Sequence, residues 1–210
     1  MIVWHTQKTK LFLAWILANA IGGFLVGFLE NNGAQFMATL LLSGAILGTS
    51  QWLIFRWLNA KGLRWTLWPV ASALGWIIST MIGILVSPII PGVLSSAATS
   101  TGEIFWLNFI NQPMYIICMA IAQGMILSYH ARYRLRTIGV WLLASCLGAA
   151  LHGAVSALIC HSVCQTLPST LIGIVESKGW AVYGIITGFA LLWVLPTSAV
   201  GGKSPLAQPD

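Results

Sequence analysis

The chain has 210 residues, of which 58% are hydrophobic and only 7% charged. A soluble domain carries about 25% charged residues, so a water-soluble globule is excluded and most of the surface must face lipid. The formal charge of +6 sits in short segments between apolar runs rather than on one face, which is how membrane orientation is written and argues against a nucleic-acid partner.

Residues 1–10 form a polar start with Lys8 and Lys10, and an apolar run covers 11–29. Ala18-Asn19-Ala20 resembles a signal-peptide cleavage site. The apolar run continues past it, however, and the site lies inside a motif that recurs later, so a retained helix is expected. Five further runs are long enough to cross a bilayer of roughly 30 Å: 34–55, 66–86, 104–128, 138–159 and 179–196. None shows the period-2 alternation of a barrel strand. The expected fold is therefore all-α: a single polytopic transmembrane domain of six helices, with 197–210 as a flexible cytoplasmic tail.

The pattern W-x-x-A-[N/S]-[A/C]-[I/L]-G occurs three times, beginning at Trp15, Trp68 and Trp141. It ends on Gly22, Gly75 and Gly148. Trp68 to Trp141 and Glu103 to Glu176 share one offset of 73 residues. The even helices carry small residues four apart: Gly44/Gly48, Ala120/Gly124 and Gly184/Gly188. Residues four apart share a helix face, so these mark close helix packing, with a homo-oligomer or another membrane protein as a second use of the same faces. The chain thus divides into three parallel two-helix repeats, 11–55, 66–128 and 138–196.

Orientation follows from the ten basic residues. Lys8, Lys10, Arg56, Lys61, Arg64, Arg132, Arg134, Arg136 and Lys203 fall on one side of six spans, and Lys178 alone on the other. The positive-inside rule makes the first side cytoplasmic, with both termini inside. The expected home is a bacterial inner membrane or an internal photosynthetic membrane. Glu30, Glu103 and Glu176 then fall in outer connections. Of the eleven tryptophans, most lie near a span end and are expected as an interfacial belt.

Gly44 and Gly48 followed by Gln51-Trp52-Leu53 and Arg56 form G-x-x-x-G-x-x-Q-W-L with a nearby arginine. This resembles uncharacterised multispanning bacterial proteins, notably from photosynthetic lineages, over residues 43–76. The resemblance implies membrane class and carries no activity. A two-helix threefold repeat is also similar to the mitochondrial carriers. Their P-x-[D/E]-x-x-[K/R] motif is absent, since Ser87-Pro88-Ile89-Ile90-Pro91 has no acidic residue at the required place.

No acidic or basic residue is expected deep in a span, which counts against an energised transporter. Milder polar residues do reach a common depth by rise-per-residue counting: Ser79 and Thr80, Asn108, Asn111 and Gln112, and His152. Pro113 should free the Phe109 carbonyl and kink its helix there. These residues are expected either as interhelical hydrogen bonding or as an outward-facing pocket between the third, fourth and fifth helices. Cys160, His161 and Cys164 offer three soft ligands within five residues, but no second ligand pair completes a zinc site. A Cys160–Cys164 disulfide is the other possibility. No hydrolase, kinase, P-loop or Rossmann motif and no carboxylate pair is present, so no enzyme is expected. Three functions follow in order: a non-catalytic accessory, scaffold or lipid-contacting protein; a small-solute channel or facilitator; and a pigment- or haem-binding protein with His152 as the axial ligand. No cofactor is required by the first two.

Overall fold

A computed structural model describes residues 2–57, 63–86, 101–129, 131 and 133–195. Within them the chain is helical, with no strand. α1 runs from Ile2 to Asn31. It contains no proline, and its end is set by Gly33 at φ +92°, the left-handed geometry glycine adopts at a helix C-terminus. The Ala34 N–H then returns to the Leu29 carbonyl at 3.1 Å. The short α2 (Gln35–Met37) leads through one π-helical turn, Ala38–Leu42, into α3 (Ser43–Trp57). α4 (Leu63–Thr66) and α5 (Trp68–Val86) follow. Next come α6 (Thr101–Asn111), a 3-10 turn at Gln112–Tyr115, and α7 (Ile117–Ser128). α8 covers Arg134–Val163 and α9 covers Ser169–Val194.

Five segments are long and apolar enough to cross a membrane, and the bent pair flanking Ile116 makes a sixth if its halves are taken as one span. The bend is 49° and sits where Pro113 removes a backbone donor. The Cys118 N–H, one of the open donors in the first turn of α7, donates to Ser79 Oγ at 2.8 Å.

Two expectations about the outer connections are corrected. The last helix begins at Ser169, not near Gly179, so Glu176 and Lys178 are helical. Glu30 lies on the last turn of α1. Both glutamates therefore fall within candidate spans rather than in loops. Ser87–Thr99, including the Ser87-Pro88-Ile89-Ile90-Pro91 stretch, and the tail 197–210 lie outside the described residues.

The segments close into a ring. α1 packs on α3 and α9, α3 on α5, α5 on α7, α6 and α7 on α8, and α8 on α9. Large apolar side chains point outward in rows of helical spacing, such as Leu13, Leu17, Ile21 and Leu25 on α1 and Leu74, Ile78 and Ile82 on α5. Polar side chains point inward, among them Asn19, Gln51, Ser72, Gln123, Ser145 and Thr187, all fully buried. The first set suits a lipid surrounding, and hydrogen bonds between helices join Asn19, Gln51, Ser72, Gln123 and Thr187 of the second.

Candidate functional site

Trp15 of α1, Trp68 of α5 and Trp141 of α8 meet inside the ring. Their ring centroids are 6.2, 6.1 and 5.9 Å apart, with planes at 76°, 72° and 70°. Edge-to-face contact is what aromatic quadrupoles favour. Each indole donates to a neighbouring helix of the ring. Trp15 Nε1 reaches Thr187 Oγ1 at 3.0 Å, Trp68 Nε1 reaches Gln51 Oε1 at 2.9 Å, and Trp141 Nε1 reaches Gln123 Oε1 at 3.3 Å. The two amides extend the layer. Gln51 Nε2 donates to Asn19 Oδ1 at 2.8 Å. Gln123 Nε2 donates to Ser72 Oγ at 2.8 Å and to Gln51 Oε1 at 3.1 Å. In the third position the Tyr183 hydroxyl is directed at Ser145, though neither oxygen completes a hydrogen bond of standard geometry.

These three tryptophans are fully buried, which corrects their expected place in an interfacial belt. The indole N–H finds a protein acceptor, so it needs no headgroup. Trp65, Trp76 and Trp180 are buried too, whereas Trp57, Trp106 and Trp193 are exposed. Arg56 lies over Trp52 at 5.1 Å and Arg136 over Trp193 at 4.8 Å.

The motif glycines allow this packing. A Cβ at Gly22 would lie 2.9 Å from Leu47 Cδ2, one at Gly75 2.5 Å from Met119 Cα, and one at Gly148 3.0 Å from Tyr183 Cδ2. Gly48 and Gly184 face Ser72 with Pro69, and Asn19 with Ile16, respectively. Ala120 is fully buried. Gly124 and Gly188 lie one turn further along, against Ile138 with Trp141 and Phe12 with Trp15. Gly44 faces Trp76 and Ser72.

At the opposite end of the ring from Lys8 and Lys10 lies a cavity of about 200 Å³. Its walls are Val26 and Glu30 of α1, Thr39 of the π-turn, Trp76 of α5, Gln112 and Tyr115 of the 3-10 turn, His152 of α8, and Glu176 and Trp180 of α9. Every long segment of the ring contributes. Local irregularities aim these side chains. The π-turn sends the Ser43 N–H to Ala38 O. That leaves the Thr39 carbonyl free to accept Trp76 Nε1 at 2.7 Å. Thr39 Oγ1 meanwhile donates to Glu30 Oε1 at 2.8 Å. The proline break turns Gln112 and Tyr115 inward. Glu176 and Trp180, four apart, share one face of α9.

His152 and Glu176 approach at 3.9 Å between Nε2 and Oε2, with side chains 7% and 26% exposed. His152 also stacks on Trp180, with centroids 4.4 Å apart. Ser156 Oγ lies 3.5 Å from His152 Nδ1 and reaches the Glu176 carboxylate as well. The carboxylates of Glu30 and Glu176 interact across the cavity. Glycines on facing helices leave room for this group. A Cβ at Gly27 would meet Glu176 Cγ at 2.6 Å, and one at Gly179 would meet His152 Nδ1 at 2.5 Å.

Of the polar residues expected to share a pocket, His152 and Gln112 line this cavity. Ser79 does not, being spent on the Cys118 N–H. Thr80 lines a second, shallower groove of about 310 Å³ with Gln35, Phe36, Leu40 and Ile84, which shares only Thr39 with the cavity. Asn108 Nδ2 donates to its own Ile104 carbonyl at 2.9 Å. Asn111 Oδ1 is buried without a partner. Sequence reasoning missed Glu30, Thr39, Trp76, Tyr115, Glu176 and Trp180. The four-residue spacing of Glu176 and Trp180 was the available signal, hidden because Glu176 reads as part of the connection just before the span 179–196.

Cys160 and Cys164 form a disulfide, which removes the thiolates a metal would need. Among the described residues no group of three His, Cys, Asp or Glu side chains is placed to hold a metal ion. No protein-family model, curated protein or solved structure matches this chain.

Proposed function

We propose a six-span membrane protein of three two-helix repeats, with both termini cytoplasmic, that binds a small solute in a pocket reached from the outer side and performs no chemistry on it. The repeat reading is supported by three sets of like contacts. Each motif tryptophan donates to the preceding even helix, and the motif glycines meet residues 47, 119 and 183, each four before its hydrogen-bonding partner at 51, 123 or 187. The third set concerns size. Gly44 faces Trp76, Ile116 and Ala149 are both buried, and Gly23 faces Trp180. A large residue is met by a small one each time, as close packing requires. The basic residues support the orientation. The Cys160–Cys164 disulfide agrees with an oxidising outer side.

The observation that carries the binding role is the cavity itself. Ionisable side chains inside a membrane protein mark functional positions by default. Glu30, His152 and Glu176 converge on one space lined by all the long segments. The scaffold role rested on the lack of such groups at depth, and a channel needs an open axis. Trp15, Trp68 and Trp141 fill that axis towards the basic end, which favours a pocket over a conduit.

Thiol accessibility tests this. In a background with Cys118→Ser and Cys146→Ser, Thr39→Cys should react with a membrane-impermeant thiol reagent from the outer face only. Asn19→Cys should react from neither face. Labelling of Asn19→Cys from the cytoplasmic face would mean an open conduit and overturn the reading, as would an inert Thr39→Cys.

A further inference from the structure

We infer that the cavity takes a small organic cation, a primary or methylated ammonium of about benzene size. This rests on the pocket reading above and deepens it. Two carboxylates, Glu30 and Glu176, line the space, and among the described residues no lysine or arginine lines it; Lys178, the nearest basic residue along α9, is exposed. Three further wall residues, Trp76, Trp180 and Tyr115, present large aromatic rings. Trp76 and Trp180 lie with centroids 6.2 Å apart and planes at 46°, and Tyr115 adds a third ring. An ammonium is attracted to aromatic faces within about 6 Å, most strongly when desolvated. Carboxylates supply the charge-assisted partners.

Other ligand classes fit less well. An anion would meet two carboxylates and no cation. A neutral solute would draw only hydrogen bonds from the two acids, whereas a cation favours their charged form and gains a charge-assisted partner in each. A metal ion would need three or more ligands at about 2.0–2.6 Å. His152 Nε2 and Glu176 Oε2 are 3.9 Å apart, and no three-ligand group is present among the described residues. His152 is nonetheless almost wholly buried, and its Nε2 stands beyond hydrogen-bond distance from Glu176. A ligand polar atom between them would complete both. The volume sets the size. A cavity of about 150 Å³ holds benzene, and this one is about 200 Å³, enough for tetramethylammonium or choline.

The test is calorimetric titration of the full chain in lipid nanodiscs with tetramethylammonium, choline and the uncharged carbon isostere of choline. Choline and tetramethylammonium should bind, and the isostere should bind at least about tenfold more weakly, a difference of about 1.4 kcal/mol. Glu176→Gln should weaken choline binding about tenfold and leave the isostere unchanged. Glu30→Gln serves as the second variant if thermal unfolding shows that Glu176→Gln is misfolded. If the isostere binds as well as choline, or both variants bind choline like the parent, the cation class is wrong and the pocket reading stands. If no compound binds at millimolar concentration, the inference is overturned. The Thr39→Cys labelling then decides separately whether the pocket reading falls with it.

Discussion

Replacing Gln51 by methionine removes an amide while keeping chain length and volume close. Gln51 is fully buried and stands at the junction of the polar layer. It accepts from Trp68 Nε1 at 2.9 Å and from Gln123 Nε2 at 3.1 Å, and donates to Asn19 Oδ1 at 2.8 Å. A hydrogen bond inside a membrane protein is worth about 0.6 kcal/mol on average, so three bonds set a floor of roughly 2 kcal/mol. Gln123 Nε2 keeps Ser72 as a partner. Trp68 Nε1 loses its acceptor, and such a buried orphan costs about 1–3 kcal/mol. Asn19 Oδ1 likewise loses its donor. The expected loss for Gln51→Met is therefore about 2–4 kcal/mol. Thr187→Val is the internal comparison. Thr187 accepts one bond, from Trp15 Nε1 at 3.0 Å, and donates within its own helix to Tyr183 O, so Thr187→Val orphans one group against two for Gln51→Met and the expected loss is about half as large, roughly 1–2 kcal/mol. Steric-trapping measurements of unfolding in bicelles resolve such differences. A Gln51→Met protein within about 0.5 kcal/mol of the parent, or a Thr187→Val loss as large as that of Gln51→Met, would refute the account of the layer as a cooperative network.

The glycines should separate by what surrounds them. Gly75→Ala puts a methyl 2.5 Å from the Met119 Cα, a backbone atom, and should cost about 1–3 kcal/mol in the same assay. Gly139→Ala meets nothing within 4 Å and should stabilise by about 0.5–1 kcal/mol through helix propensity; equal effects at the two positions would contradict the packing. Gly179→Ala drives a methyl into His152 Nδ1 and Ser156 Oγ, so choline binding should fall more than thermal stability does, and the reverse order would detach His152 from the pocket. Reporter fusions after Leu58 and Arg134 should read as cytoplasmic and one near Thr99 as external, and any exchange between them would invert or break the six-span topology.

What could be read from the sequence divides along physical lines. The membrane class follows from composition, because a chain with so few charges has too little polar surface for water. The bend at Pro113 follows from a missing N–H, a local fact. The motif glycines followed too, since W-x-x-A-[N/S] ending on Gly fixes a helix face without knowledge of the partner. The depth of the tryptophans did not. Preference for headgroups is an average over indoles lacking a protein acceptor, and Thr187, Gln51 and Gln123 come from other helices. The register of the even helices was hidden for a related reason. Under the proposed repeat, matching Gly44/Gly48 to Gly184/Gly188 slips one helix by four residues, which keeps the same face. Only the partners betray the slip, with Gly48 on Ser72 and Gly184 on Asn19. The acidic pair was the largest omission. A hydropathy scan stops α9 near Gly179, because Glu176 and Lys178 interrupt the apolar run. The backbone has no such reason to stop, and Ser169–Val194 stays helical. Ten residues of extra helix carry Glu176 from a supposed loop into the cavity shared with Glu30 and His152. Hydropathy reports where lipid lies, and a site facing away from lipid is where that signal is weakest. The polar interruptions dismissed as loop were the signature of the pocket.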